Sequence, residues 1–164
     1  MSYPTGTPVA ERALANLQTA LETIQGAPDY YTTLAASNVI RNRGDNVMQV
    51  LKVYPGILIL EGEVVKDENS AWPMVECEMP VVLRCALNRR GDGTETDLRR
   101  FAADVAHCVR QNYRLADGGG DVALVAYVTG EQVYQSDDAL PVAAVDVVLR
   151  IRYRYLYDDP NTPL

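Results

Sequence analysis

Apolar and polar residues alternate along two stretches of this chain, and the rest of the sequence arranges itself around them. From 143 to 157 the sequence reads A-A-V-D-V-V-L-R-I-R-Y-R-Y-L-Y. Val145, Val147, Leu149, Ile151, Tyr153 and Tyr155 fall on one side, and Asp146, Arg150, Arg152 and Arg154 on the other. Strand side chains alternate with period two, so the pattern predicts a long strand with one buried and one charged face. The stretch 75–87 has the same grammar: Val75, Cys77, Met79, Val81, Leu83, Cys85 and Leu87 point one way, and Glu76, Glu78 and Arg84 the other. A one-residue slip would drive three arginines into the core, so the register is strongly specified.

Around these two strands the chain reads in order. A Pro/Gly/Thr-rich lead over 1–8 suits a mobile or docking segment. Ala10, Leu14, Leu17, Leu21 and Ile24 recur at helical spacing over 9–25, closed by Gly26 and Pro28. The segment 29–34, D-Y-Y-T-T-L, is rich in strand formers. Residues 35–46 read as a loop exposing Arg41 and Arg43, and 47–54 as a continuing strand. Pro55-Gly56 marks a turn before a strand over 57–65, and 66–72 is a polar connector. Pro80 cannot donate to a ladder, which predicts a bulge or an edge there. After a turn-rich loop at 88–94, a second helix is predicted over 95–113, with a capping-box-like start at Thr94 and Asp97. Its apolar stripe is Leu98, Phe101, Ala102, Val105, Cys108 and Val109; Arg99, Arg100, Asp104, His107 and Arg110 form its wet side. The run 122–128 reads as a short central strand, 130–140 as a polar connector or protruding hairpin arm, and 158–164 as a flexible tail.

Two helices cannot cover both faces of a sheet of five or six strands. The economical expectation is a single α+β domain over 1–164, with a mixed, largely antiparallel sheet and both helices packed on one face. The opposite face then carries Glu76, Glu78 and Arg84 on one strand and Arg150, Arg152 and Arg154 on another. That face is either solvated or laid against another subunit.

Composition narrows the function classes. At 164 residues the chain can bury a sizeable core. A net charge of −7 disfavours a dedicated duplex-DNA binder or an anionic-membrane binder. The 13 arginines against 2 lysines, with 10 tyrosines, lean towards protein interfaces. Cys77 and Cys85 share a strand face eight residues apart, too far to bridge, and with Cys108 they read as small buried hydrophobes of a reducing compartment. No apolar run reaches membrane-spanning length, and the N-terminus lacks the layout of a signal peptide. Cytoplasmic synthesis is expected.

Signatures of catalysis are missing one after another. The single histidine, His107, falls opposite the apolar stripe of its helix, where a solvated imidazole is the ordinary reading. No Cys/His spacing suits zinc, and Asp137-Asp138 and Asp158-Asp159 are loop carboxylates without converging ligands. Gly118-Gly119-Gly120 follows a helix and leads into a strand, the reverse of a phosphate cradle. Arg89-Arg90 lacks the aromatic platform of a nucleic-acid site. The expectation is a protein without cofactor, metal or catalytic residues.

Taken together, the N-terminal helix, D-Y-Y-T-T-L at 29–34, Y-P-G-I-L-I-L-E-G-E at 54–63, M-P-V-V-L-R-C-A-L at 79–87, D-L-R-R-F-A-A-D-V-A at 97–106 and V-V-L-R-I-R-Y-R-Y at 147–155 resemble the tail terminator (minor tail protein U-like, tail completion) proteins of long-tailed bacteriophages. The resemblance covers most of the chain by type and order of elements, without an invariant signature. It implies a structural virion protein at the tail–neck junction, assembled in the host cytoplasm. Such a protein forms a ring, typically of six subunits, that caps the tail tube and ends its polymerisation. Its implied partners are further copies of itself, the tail tube protein, the head–neck connector and, in a contractile tail, the sheath protein, with DNA only as cargo through the ring. A closed ring needs one patch of each subunit to meet a different patch of its neighbour. The candidates are the charged sheet face (Glu76, Glu78, Arg84, Arg150, Arg152, Arg154) and the 130–140 connector, followed by the Arg41/Arg43 and Arg89/Arg90 loops. Another neck or head-completion protein is the alternative within the same class, and a small ligand-binding α+β domain the alternative outside it.

Overall fold

The two alternating stretches pair with each other and form the middle of the sheet. A computed structural model describes residues 6–34, 38–42, 51, 53–67, 69–88, 94–134 and 142–164. In chain order its elements are α1 (Val9–Leu21), β1 (Val39–Asn42), β2 (Gly56–Glu61), β3 (Val65–Lys66), β4 (Met74–Asn88), α2 (Thr94–Gln111), β5 (Val125–Tyr134), β6 (Val142–Leu156) and β7 (Asp159–Pro163). They build one α+β fold with a mixed sheet in the order β1-β2-β4-β6-β5; β3 adds to β4 and β7 to β6. Among the described residues only the β1–β2 pairing is parallel. The β4–β6 ladder runs unbroken from Met74 opposite Leu156 to Asn88 opposite Val142.

Both helices cover the same face, as expected. Leu14, Leu17 and Leu21 of α1 and Leu98, Phe101, Val105 and Val109 of α2 share one buried cluster with Ile57, Ile59, Val81, Leu83, Val147, Leu149 and Ile151 of the sheet. Cys77, Cys85 and Cys108 are buried free thiols, and burial pushes the thiol of each upward. A second, smaller core lies on the opposite face at one end of the sheet. There Leu51, with Tyr54 and Ile40 beside it, packs over Leu58, Ala86, Val142 and Ala144. Buried Asn38 holds this cap in place by donating to the carbonyls of Val53 and Pro55.

Several local expectations are corrected. D-Y-Y-T-T-L is a tight turn with a single bridge, Gln25 to Thr33, because its backbone donors find a carboxylate instead of a ladder. The loop assigned to 35–46 contains β1, and Arg41 is part-buried between Glu11 and Glu61 instead of exposed. The strand expected over 57–65 divides into β2 and β3. At the break Gly62 donates to the Pro80 carbonyl at 2.8 Å. The proline nitrogen therefore faces the gap between two partners, where no donor is needed. A Cβ on Gly62 would stand 2.9 Å from that carbonyl oxygen, so the close approach requires glycine. The run 122–128 is not central: β5 is an edge strand, and Val122 and Ala123 are buried in the approach to it. The first part of the 130–140 connector, to Tyr134, belongs to β5. The tail over 158–164 is largely β7, paired with the end of β6. Arg43, Arg89, Arg90 and the 135–140 part of the connector lie outside the described residues.

Candidate subunit interface

The sheet face away from the helices is banded along the strands. At one end lies the capped second core. The next row sets Arg84 against Asp146 across β4 and β6, through Nε and Nη2 at 2.8 Å each. Asp146 is only 5% exposed, so Arg84 serves a nearly dry carboxylate and holds the sheet together instead of facing a partner freely. A half-buried apolar band follows, with Leu60, Val82 and Val148 in register across three strands.

Beyond it comes the ionic ladder foreseen from the alternation. Arg150 and Arg152 bond Glu78 and Glu76 one pleat further along β4, and Arg154 Nε reaches Glu76 Oε2 at 2.8 Å. The bonds from Arg154 and then Arg152 hold the Glu76 carboxyl below the usual carboxylate range. The same carboxylate raises the Arg152 guanidinium. Glu76 lies low between the strands while all three guanidinium groups stand half-exposed above it. Three cations over two carboxylates leave this band positive on a chain of net charge −7. Each guanidinium also keeps unused donors aimed at solvent. An open groove of about 430 Å³ runs beside the ladder, lined by Val65, Lys66, Asp67, Asn69, Glu78 and Arg152 among others.

The remaining site residues separate. Arg41 shares a row with Ile59 and so lies on the helix side, where Glu11 and Glu61 raise its guanidinium further. It ties α1 to the β1–β2 edge and is not part of the ladder.

Three features escaped sequence reasoning. Asp104, assigned to the wet side of α2, is 3% exposed and accepts from the backbone N–H groups of Tyr31 and Thr32 at 3.1 and 2.7 Å. Its partners lie over seventy residues away, so no local signal announces it. Past the ends of β4 and β6, Trp72 packs on Tyr157 with ring centroids 4.9 Å apart, both rings largely in solvent. The strand register comes only within one residue of it: extending Met74 opposite Leu156 sets Pro73 opposite Tyr157 and Trp72 opposite Asp158. At the other margin, Tyr113 and Tyr127 are exposed beside the β5 edge, on a groove of about 440 Å³ between that edge and α2.

Among the described residues no three His, Cys, Asp or Glu side chains converge on a common point, and no helix is long and apolar enough to cross a membrane. Neither family models nor curated proteins match this chain. The described surface carries an ordered cationic ladder and two exposed aromatic pairs.

Proposed function

We propose that this chain is a tail terminator of a long-tailed bacteriophage, a structural protein whose copies close into a ring on the end of the tail tube and stop its growth. The observation that carries this is where the resembling stretches fall in the fold. Y-P-G-I-L-I-L-E-G-E supplies β2, M-P-V-V-L-R-C-A-L supplies β4, V-V-L-R-I-R-Y-R-Y supplies β6, and D-L-R-R-F-A-A-D-V-A supplies the helix packed on them. Stretches scattered over a hundred residues thus form one contiguous two-layer unit. The helices bury one face of this unit, and the other keeps a half-exposed cationic band that suits assembly.

In this role the subunit does no chemistry. It offers one surface to its neighbour, another to the tube end and a third to the head–neck connector. The test is mass measurement in solution, alone and with the tail tube protein, combined with electron microscopy of tube ends. Rings of uniform mass that cap tubes and shorten their length distribution are expected. A chain that leaves tube length unchanged and never decorates tube ends would refute the assignment.

A further inference from the structure

The two exposed aromatic clusters differ in shape and in charge. The first is convex. Trp72, the only tryptophan, is 77% exposed and rests on Tyr157, itself 64% exposed. Exposed Pro73 and Met74 extend the knob, and the Tyr157 N–H donates to the Pro73 carbonyl, which ties the two chain segments together. Asp158, next to Tyr157, is exposed and has no cationic partner among the described residues. A tryptophan this exposed in a folded domain is unusual, and aromatic and Met side chains are the ones that interfaces favour.

The second cluster is concave. The groove along the β5 edge has an apolar lining from Ala106, Val109 and Val128, with Tyr113 and Tyr127 on its margins. Arg110 lines it without a carboxylate partner among the described residues, while Arg114 stands over the Tyr113 ring and pairs with Asp121 at 3.9 Å. The Ala126 N–H donates to the Tyr113 carbonyl at 2.7 Å, which ties the segment after α2 to β5. Tyr127 shares a row with Arg150 of β6, and Tyr157 follows Arg150 by seven residues just past the end of that strand, so the two clusters stand roughly 20 Å apart along the strand direction.

We infer that the Trp72 knob of one copy seats in the α2–β5 groove of the next, with Asp158 of the knob meeting Arg110 of the groove. The occupant is a second copy of this chain because the complement of each patch in shape and charge lies on the same molecule. The patches differ and do not overlap, so one copy engages two neighbours at once, the heterologous arrangement that closes rings. This deepens the ring assignment and rests on it only for closure, not for the contact.

The test uses two variants of the full chain, Trp72→Ala, which removes the knob, and Ala106→Glu, which blocks the groove. Ala106 is only partly buried on α2, and thermal melts check that both variants fold. Each variant alone is expected to weaken self-association at least about 30-fold, as for a central aromatic anchor. Mixed together they are expected to form a one-to-one dimer that grows no further, because only one intact knob and one intact groove meet. Emission from Trp72 reports directly on the knob: in the wild type it shifts to the blue as copies assemble. Rings that form normally from both variants, or unchanged emission on ring formation, overturn the contact and leave the ring assignment standing. Open chains that depend on Trp72 but never close or cap a tube remove the ring assignment and leave the contact standing.

Discussion

Removing Arg84 tests how far the sheet depends on a charge pair in its least hydrated row. The side chains of Arg84 and Asp146 are 23% and 7% exposed, and two bonds of 2.8 Å join them. On the neighbouring strand Leu58 stands beside Arg84 in the same row. Ala86 and Ala144 close one side of the pair, and Val82 and Val148 the other. The variant Arg84→Met keeps the apolar stem and deletes only the charged head. Breaking a fully buried pair costs about 3–5 kcal/mol, because the surviving charge is stranded. Arg84 lets some water reach the site, so about 2–3 kcal/mol is expected. Asp146→Ala is expected to cost less, about 1–2 kcal/mol, since the guanidinium it leaves behind can turn to solvent. The double variant Arg84→Met with Asp146→Leu is expected within about 1 kcal/mol of the wild type. Urea denaturation at pH 7 with an unchanged m value reads these differences, and for a chain of this size each kcal/mol moves Tm by about 2–4 °C. If Asp146→Ala proves the more damaging single change, or the double variant loses the sum of both, burial of the carboxylate is not what sets the cost.

Acid should act through Glu76. Its carboxyl is held below the usual range by Arg154 and then Arg152, so its contribution is complete above the unfolded-state value and disappears as pH falls through the lowered folded-state value. Glu76→Gln is expected to cost about 1 kcal/mol at pH 7, to converge on the wild type only as pH falls through the lowered folded-state value, and to lose its effect in high salt. Denaturation curves across that range check this, and a gap between the two proteins that is independent of pH would contradict it. Asp104→Asn replaces one acceptor facing the Tyr31 and Thr32 N–H groups with a donor, and a loss of about 2 kcal/mol is expected. Hydrogen exchange at those two amides should accelerate well before α2 opens, and unchanged protection there would refute the role.

The sheet was legible in the sequence wherever one face is wet and the other buried. The 75–87 and 143–157 stretches announce their register because a shift would bury arginine, and the Glu76/Glu78 against Arg150/Arg152/Arg154 ladder follows from that phase. Where burial comes from tertiary partners the signal vanishes. V-I-R-N in β1 looks like a polar loop until Glu11 of α1 and Glu61 of β2 are present to accept Arg41. The apolar run at 122–128 could equally belong to a central strand or to a buried approach, and periodicity does not separate the two. Arg84 looked like a surface contact because alternation reports only which face a residue is on. The cap of Leu51 and Tyr54 that dries that end of the face comes from a separate segment.

The uninterrupted β4–β6 ladder gives the molecule a keel. Fifteen paired residues at about 3.3 Å each make a rod roughly 50 Å long. Loaded lengthwise, such a ribbon shears, with its rungs sharing the strain; pulled from the side, it unzips one rung at a time. The short additions at its flanks (β3 and β7) are held by few rungs and should breathe first. Trp72 and Tyr157 border these two loosely held flanks at one end of the rod, where local rearrangement can adapt a contact while the rod itself stays rigid.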